Sequence, residues 1–216
     1  MFPQELTLRV GQTGVVAVII IEDPADAVPM AKALGAGGIS VIELTLRTPR
    51  ALEAIKRIRA ELPDVLIGAG TVLNATQLRE VKDAGAFFAV SPGCNPSTLR
   101  AAQDLGIPFA PGIANPSDIE IALEHGCRLL KYFPAGTSGG LPHLTAMGAA
   151  FAHLGVKYIP LGGITLETFG DYLKSPLVAA VGGSWLAKPE VIKAKDWAAI
   201  TAAAAAATKV VRAVRG

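Results

Sequence analysis

Cysteine is scarce in this chain of 216 residues, and its charges nearly balance. The two cysteines, Cys94 and Cys127, show no metal-ligand spacing and lie in no secretory context, so we expect reduced thiols in a cytoplasmic protein without a metal site. The formal net charge of +2 comes with no basic run, which gives no support to nucleic-acid binding.

Long hydrophobic runs and targeting signals are also missing from the start of the chain. The longest apolar run there, residues 15–21, is far too short to span a bilayer, which takes about 20 apolar residues. Residues 1–5 contain no basic region leading into an apolar core, so we expect no signal peptide and no membrane contact.

The sequence does contain a repeated alternation of two kinds of segment. With 51% hydrophobic and 18% charged residues it can bury a large core, and short apolar, β-branched runs alternate with longer amphipathic stretches eight times. The predicted strands are residues 15–21, 39–45, 65–70, 87–91, 108–111, 128–133, 158–161 and 178–181. The predicted helices include residues 24–34, 49–61, 75–84, 96–105, 116–124 and 166–173.

Helix-boundary residues support this division. Four predicted helices begin with a capping residue followed by proline, at Asp23, Thr48, Asn95 and Asn115. Glycine ends several segments, at Gly35, Gly85, Gly106, Gly126 and Gly155. Near-continuous apolar strands indicate a parallel sheet covered by helices. Eight such units favour, over a doubly wound open sheet, an α/β fold with one (β/α)8 TIM barrel domain over residues 1–216 and a short N-terminal helix within residues 1–12.

Lys131 is the residue with the most specific chemistry. It lies in the predicted strand 128–133, and active sites of such barrels lie at the carboxyl ends of the strands. A low-dielectric setting disfavours the ammonium form, and a neutral amine can attack a carbonyl to form a Schiff base. The alternative is a structural lysine whose head group reaches water along its own stem.

Polar residues at other strand ends complete a candidate site. Glu43 lies in an apolar strand, where a carboxylate is costly unless paired, and Arg47 four residues on could be its partner in a purely structural pair. With Thr71 and Lys131 these residues also form a catalytic set. The lysine condenses with a ketone and the carboxylate moves protons, while the arginine and threonine hold a substrate carboxylate.

Glycine pairs follow the seventh and eighth predicted strands, at Gly162–Gly163 and Gly182–Gly183. These are the strand ends where barrels commonly bind phosphate, because bare backbone N–H groups can approach an anion there. We expect the residues after Gly163, and Trp185 after Ser184, to open helical turns aimed at such a ligand.

These residues together resemble one enzyme family, the 2-keto-3-deoxy-6-phosphogluconate (KDPG) and 4-hydroxy-2-oxoglutarate (KHG) aldolases. The resemblance covers about residues 15–197, and its most specific motifs are Glu43-Leu44-Thr45-Leu46-Arg47-Thr48 and Lys131-Tyr132-Phe133-Pro134-Ala135. Further matching stretches are residues 27–34, 36–39, 68–74, 91–93, 162–164 and 182–186.

The resemblance implies a class I aldolase in a (β/α)8 barrel, usually a homotrimer, that needs no metal or cofactor. It would cleave a phosphorylated keto-acid substrate, KDPG, to pyruvate and glyceraldehyde 3-phosphate. Lys131 would form the Schiff base and Glu43 would shuttle protons. The substrate-binding residues would be Arg47, Thr71, Pro92, Phe133, Gly162, Gly163, Gly183 and Ser184, of which the glycines and the serine would hold the phosphate.

Several positions depart from the family pattern. Leu161 stands where the family has a threonine at the substrate, which affects affinity or orientation, and Ala17 stands where a proline is usual. Gly136 replaces a usual glutamate, and Ala149-Ala150 replaces a usual Gly-Pro before Phe151. None of these changes removes the lysine or the proton shuttle.

Two other functions are compatible with the sequence. The six alanines of residues 202–207 predict a secure helix with a smooth surface that another helix could approach closely. The chain could therefore be a natural or engineered assembly subunit built on an aldolase trimer, with this helix as the contact. A phosphate-sugar isomerase that uses Glu43 as its base is the other alternative.

Overall fold

The computed structural model describes residues 2–216 and shows an α/β fold of parallel strands and helices. The strands are β1 (Val15–Ile19), β2 (Val41–Thr45), β3 (Leu66–Gly70), β4 (Phe88–Val90), β5 (Phe109–Ala110), β6 (Gly112–Ile113), β7 (Leu129–Tyr132), β8 (Lys157–Pro160) and β9 (Val181–Gly183). The helices are α1 (Gln4–Thr13), α2 (Ala27–Ala36), α3 (Ala51–Glu61), α4 (Ala75–Asp83), α5 (Pro96–Leu105), α6 (Pro116–Glu124), α7 (Gly140–Ala149), α8 (Phe169–Leu173), α9 (Pro189–Lys193) and α10 (Trp197–Arg215). Two 3-10 turns span Pro24–Asp26 and Ala152–Leu154.

The strands form two parallel sheets. The larger has the order β5-β4-β3-β2-β1-β9 and the smaller has the order β6-β7-β8. Pro111 separates β5 from β6 within one extended segment, because proline has no N–H to continue the ladder. A single parallel bridge between Tyr158 and Val178 joins β8 to the residues that precede β9.

Alternate residues of each strand pack in different apolar clusters. In β2, Ile42 and Leu44 belong to the large cluster that the helices cover, whereas Val41 belongs to a smaller cluster formed by the opposite faces of the strands. In β7, Leu130 faces the helices and Leu129 joins the smaller cluster. Because side chains alternate along a strand, Glu43 and Lys131 lie on the same side as the smaller cluster.

The helix starts show where capping signals are reliable. The side chains of Asn95 and Asn115 cap α5 and α6 by accepting from the N–H groups of Ser97 and Asp118, which confirms both predicted starts. The predicted cap at Thr48 is wrong, because its hydroxyl instead donates to the carbonyl oxygen of Ile21 at 2.6 Å.

Other predicted boundaries also need correction. Asp23 caps only the 3-10 turn Pro24–Asp26, and α2 begins after it. Gly35 lies inside α2 rather than at its end. The predicted helix over residues 166–173 begins only at α8, because residues 166–168 form a turn.

The last predicted strand, residues 178–181, is displaced along the chain. The observed strand β9 contains both Gly182 and Gly183, which the sequence places after the strand. Glycine weakens strands and so predicts a turn, but here a close contact requires it. A Cβ atom on Gly182 would lie 2.7 Å from the Cβ of Leu161.

The alanine-rich helix α10 packs closely against α2 of the same chain. A Cβ atom on Gly37 would overlap the Cβ of Ala204 and lie 2.7 Å from the carbonyl oxygen of Thr201. The hydroxyls of Thr201 and Thr208 donate to the carbonyl oxygens of Ala33 and Gly37 at 3.0 and 2.7 Å. By length and composition alone α10 could cross a membrane, but part of its small-residue surface serves this internal contact.

Candidate active site

A cavity of about 320 Å³ lies where the carboxyl ends of the strands meet. Its lining residues come from or directly follow strands β1, β2, β3, β7, β8 and β9. They are Val18, Ile20, Glu43, Thr45, Arg47, Thr71, Lys131, Phe133, Leu161, Gly162, Gly182 and Ser184. Most of the site residues predicted from the sequence therefore surround one space.

Lys131 and Glu43 form a buried ion pair inside this cavity. The Nζ of Lys131 lies 2.8 Å from Oε1 of Glu43, and the two residues are only 5% and 3% exposed. Each charge is compensated by the other, which is what burial of both requires. The alternative of a structural pair between Glu43 and Arg47 is wrong, because β7 supplies the partner instead. A carboxylate thus stands in direct contact with the amine and can accept its proton.

Phe133 forms an apolar wall beside the amine. It lies two residues after Lys131, on the same side of the extended chain, and the centre of its ring is 5.4 Å from the Nζ. This distance permits a cation–π contact with the ammonium form. The ring also shields this side of the lysine from water.

Arg47 and Thr71 present unused donors at the rim. Arg47 is exposed, and its guanidinium makes no ion pair or hydrogen bond with any described residue. The hydroxyl of Thr71 likewise has no hydrogen-bond partner within residues 2–216. Thr71 has a φ of 58°, a left-handed conformation that is unusual for a β-branched residue and that is found most often at functional sites. Both groups are available to an anionic ligand.

The far side of the cavity carries backbone donors. Gly162 and Gly163 have φ angles of 91° and 77°, which only glycine adopts easily. In the part of the chain that the structure describes, no acceptor receives the N–H groups of Gly162, Gly163, Ile164 or Ser184. Turns over residues 166–168 and 185–186 follow the two glycine pairs, whereas the regular helices α8 and α9 begin only later.

Three predicted site residues do not line the cavity. Gly183 contacts the ring of Trp185, from which an added Cβ would lie 2.6 Å. Gly163 is exposed next to the cavity residue Gly162, and Pro92 lies in the turn after β4. Gly163 and Gly183 are each adjacent in the chain to a lining residue, whereas Pro92 is not.

Two apolar lining residues escaped sequence-based selection. Val18 pairs in register with Glu43 across β1 and β2, and Ile20 lies two residues further on the same side. Selecting polar strand-end residues overlooks such positions. Side chains alternate between the two faces of a strand, so pairing β1 with β2 places Val18 and Ile20 on the same face as Glu43.

No cluster of three histidine, cysteine or carboxylate side chains in residues 2–216 could hold a metal ion. The cysteines also make poor nucleophiles. Burial, with a smaller contribution from Asp118, raises the pKa of Cys94 to about 12, and burial raises that of Cys127 to about 11. Neither cysteine lines the cavity, and Lys131 is the one amine among its lining residues.

Comparison with known proteins agrees with this geometry. The family model for KDPG and KHG aldolases matches residues 7–203. A 2-dehydro-3-deoxy-phosphogluconate aldolase of Dickeya dadantii (strain 3937) is 47% identical over 88% of this chain and 88% of its own. A KHG/KDPG aldolase of Escherichia coli (strain K12) is 44% identical over 87% of each.

A solved structure adds a chemical parallel. The KDPG aldolase from Legionella pneumophila, with pyruvate captured at low pH as a covalent carbinolamine intermediate, is 43% identical to this chain. It superposes with a TM-score of 0.89 over 93% of this chain and 97% of that one. With its lysine and carboxylate paired in a cavity at the strand ends, the chain belongs to the KDPG and KHG aldolase family.

Proposed function

We propose that this chain is a class I aldolase that cleaves KDPG to pyruvate and glyceraldehyde 3-phosphate through a Schiff base on Lys131. KHG, cleaved to pyruvate and glyoxylate, is the second substrate. The observation that carries the proposal is the 2.8 Å contact between Lys131 and Glu43 inside the cavity. The names of the relatives support the substrates.

Glu43 is positioned to move each proton of the reaction. It takes a proton from Lys131, and the free amine attacks the C2 ketone to give a carbinolamine. Glu43 then returns that proton to the departing hydroxyl, so that water leaves, a protonated imine forms and the carboxylate is restored. Glu43 then accepts the proton of the C4 hydroxyl while the C3–C4 bond breaks, and the protonated imine receives the electron pair. The released aldehyde leaves an enamine, which Glu43 helps to protonate at C3 before water frees pyruvate.

The remaining polar groups fit the two ends of the substrate. Arg47 offers a two-pronged guanidinium and Thr71 a hydroxyl to the carboxylate, since neither is engaged with another described residue. The unpaired N–H groups around Gly162, Gly163 and Ser184 suit the phosphate, with Gly183 shaping the backbone next to Ser184. Phe133 contributes an apolar wall, and the role of Pro92 rests on the family resemblance.

The scaffold we propose is a single (β/α)8 barrel over residues 1–216. Two features support closure of the two sheets into one barrel. The bridge between Tyr158 and Val178 links one pair of sheet edges, and only Pro111 separates β5 from β6 at the other. We further propose a cytoplasmic homotrimer that acts without metal or cofactor.

The alternative functions have less support. An assembly subunit needs α10 as an outer contact, yet part of the small-residue face of α10 is already packed on α2. An isomerase that uses Glu43 as its base gives no reason for Lys131 to contact that carboxylate.

Borohydride trapping tests the proposal. Pyruvate plus borohydride is expected to add one covalent adduct at Lys131, located by peptide mass spectrometry. Lys131→Met is expected to abolish both the adduct and turnover, whereas Lys56→Met on the exposed face of α3 retains both. An adduct elsewhere, or none, contradicts the Schiff base. Turnover of a sugar phosphate by Lys131→Met would indicate the isomerase, and correct folding without cleavage of either substrate would indicate the assembly subunit.

A further inference from the structure

The segment between β7 and α7, residues 133–139, lies against the residues that follow β8. The parallel hydrogen-bond pattern between β7 and β8 continues beyond the ends of these strands through three backbone hydrogen bonds. Leu161 N–H donates to the carbonyl oxygen of Tyr132 at 3.0 Å, and Ala135 N–H donates to that of Leu161 at 2.8 Å. Gly136 N–H donates to the carbonyl oxygen of Gly162 at 2.8 Å. This segment, named the β7–α7 loop here, therefore holds Gly162 from one side.

Gly136 allows the close approach of the two backbones. An added Cβ would lie 3.3 Å from the carbonyl oxygen of Gly162 and 3.3 Å from the Cα of Gly163. The φ angle of Gly136 lies outside the left-handed region, so its own backbone does not require glycine. A methyl group at this position would instead make the neighbouring Gly162–Gly163 backbone shift by a few tenths of an ångström.

The hydroxyl of Tyr132 binds the end of the β7–α7 loop that leads into α7. Its hydroxyl donates to the carbonyl oxygen of Ser138 at 2.8 Å and lies 3.4 Å from that of Gly140. The side chain is fully buried on the face of β7 opposite to Lys131, and the ring stacks on His143 with centroids 6.2 Å apart. The residue next to the proposed Schiff-base lysine thus contacts the loop and not the cavity.

We propose that Tyr132 is a positioning residue for the phosphate group of the substrate. Its hydroxyl fixes the β7–α7 loop, and the loop fixes Gly162 and Gly163, whose N–H groups receive the phosphate. Two consecutive glycines lose much conformational freedom when ordered, so holding them in advance lowers the cost of binding. This inference rests on the proposed function, because it assumes a phosphorylated substrate at these N–H groups.

The test compares a substrate that has the phosphate with one that lacks it. Tyr132→Phe removes only the hydroxyl and is expected to raise KM for KDPG by roughly 3- to 10-fold, the effect of one lost hydrogen bond. The kcat/KM for KHG and the rate of pyruvate trapping at Lys131 should not change. Tyr158→Phe is the matched control, because that hydroxyl is equally buried on the neighbouring strand but has no partner among residues 2–216. It should leave both substrates unaffected.

Gly136→Ala provides a second variant that does not touch the tyrosine. Its methyl group must push the Gly162–Gly163 backbone, so the same selective rise in KM for KDPG is expected. Circular dichroism selects the variants that fold. An equal loss on both substrates, or an unchanged KM for KDPG, overturns the positioning role. Absence of KDPG cleavage in the wild-type protein defeats the proposed function itself, and the inference with it, before any variant is compared.

Discussion

Gly70 and the carboxylate of Glu43 leave no room for a side chain between them. A Cβ atom on Gly70 would overlap Oε1 of Glu43 and lie 2.7 Å from its Cδ. That oxygen is the one that accepts from Lys131. The φ angle of Gly70 is not left-handed, so any residue could adopt this backbone. The carboxylate of Glu43, and not the geometry of β3, accounts for glycine here.

Gly70→Ala is therefore expected to displace Glu43 and to lower kcat by about 10- to 100-fold, as displacements near 1 Å do in active sites. Steady-state kinetics with KDPG measure the effect. Gly93→Ala is the control, since it lies in the turn after β4 with an ordinary φ and no described atom within 4 Å of an added Cβ. A Gly70→Ala enzyme with normal kcat would show that the position of Glu43 is not critical.

Glu43→Gln should keep the shape of the side chain while removing its ability to accept a proton. General acid–base catalysis contributes about 10²- to 10⁴-fold, so kcat is expected to fall within that range. Single-turnover measurements should also show slower trapping of pyruvate at Lys131. Glu53→Gln, on the exposed face of α3, serves as control. Equal kcat values for Glu43→Gln and wild type would remove Glu43 from the mechanism.

Arg47→Lys should weaken binding of the substrate carboxylate although it keeps the positive charge. A lysine cannot form the two parallel hydrogen bonds that a guanidinium makes with a carboxylate. We expect KM to rise about tenfold for both KDPG and KHG, because both contain this carboxylate. Arg50→Lys is the matched control, because Arg50 is an exposed arginine three residues further on, with its Nη1 3.8 Å from Oε2 of Glu53. A rise confined to KDPG would assign Arg47 to the phosphate instead.

Cys94 should react slowly with iodoacetamide in the folded protein. Its pKa is raised from 9.0 to about 12, chiefly by burial, so its thiolate fraction at pH 8 falls about a thousandfold. Peptide mass spectrometry can compare alkylation at pH 8 in the native state and in urea. The same rate in both states would contradict the raised pKa.

Arg215 should stabilise the packing of α10 against α1 and against the segment before β9. Its guanidinium donates to the carbonyl oxygens of Gly11, Val178 and Ala179 at 2.7 to 3.0 Å, joining α10 to α1 and to the segment before β9. Arg215→Ala is expected to lower the free energy of unfolding by about 1 to 2 kcal/mol in urea titrations. Arg212→Ala, exposed one turn earlier, should have little effect. Equal stabilities of the two variants would rule out this role.

The sequence predicts features that depend on neighbouring residues. Asn95 and Asn115 cap their helices because an amide side chain two or three residues from a free N–H reaches it without help from the rest of the fold. Lys131 and Glu43 are identifiable for a similar reason. An ionisable group in an apolar strand is unusual whatever surrounds it.

Features that depend on distant residues are not predictable in this way. The partner of Glu43 is Lys131, 88 positions away, because the arrangement of β2 and β7 decides it, whereas sequence proximity favours Arg47. Thr48 loses its capping role to a carbonyl oxygen 27 positions away. Gly182 lies in a strand because Leu161 occupies the space of its missing side chain.

The contact between α2 and α10 has a consequence for how the chain is made. Thr201 and Thr208 bond to carbonyl oxygens 168 and 171 positions earlier, so α2 keeps part of its surface uncovered until α10 has been synthesised. Pairings between such remote segments form late, because a long loop must close before any contact stabilises it. Burial of this face of α2 therefore follows the synthesis of α10.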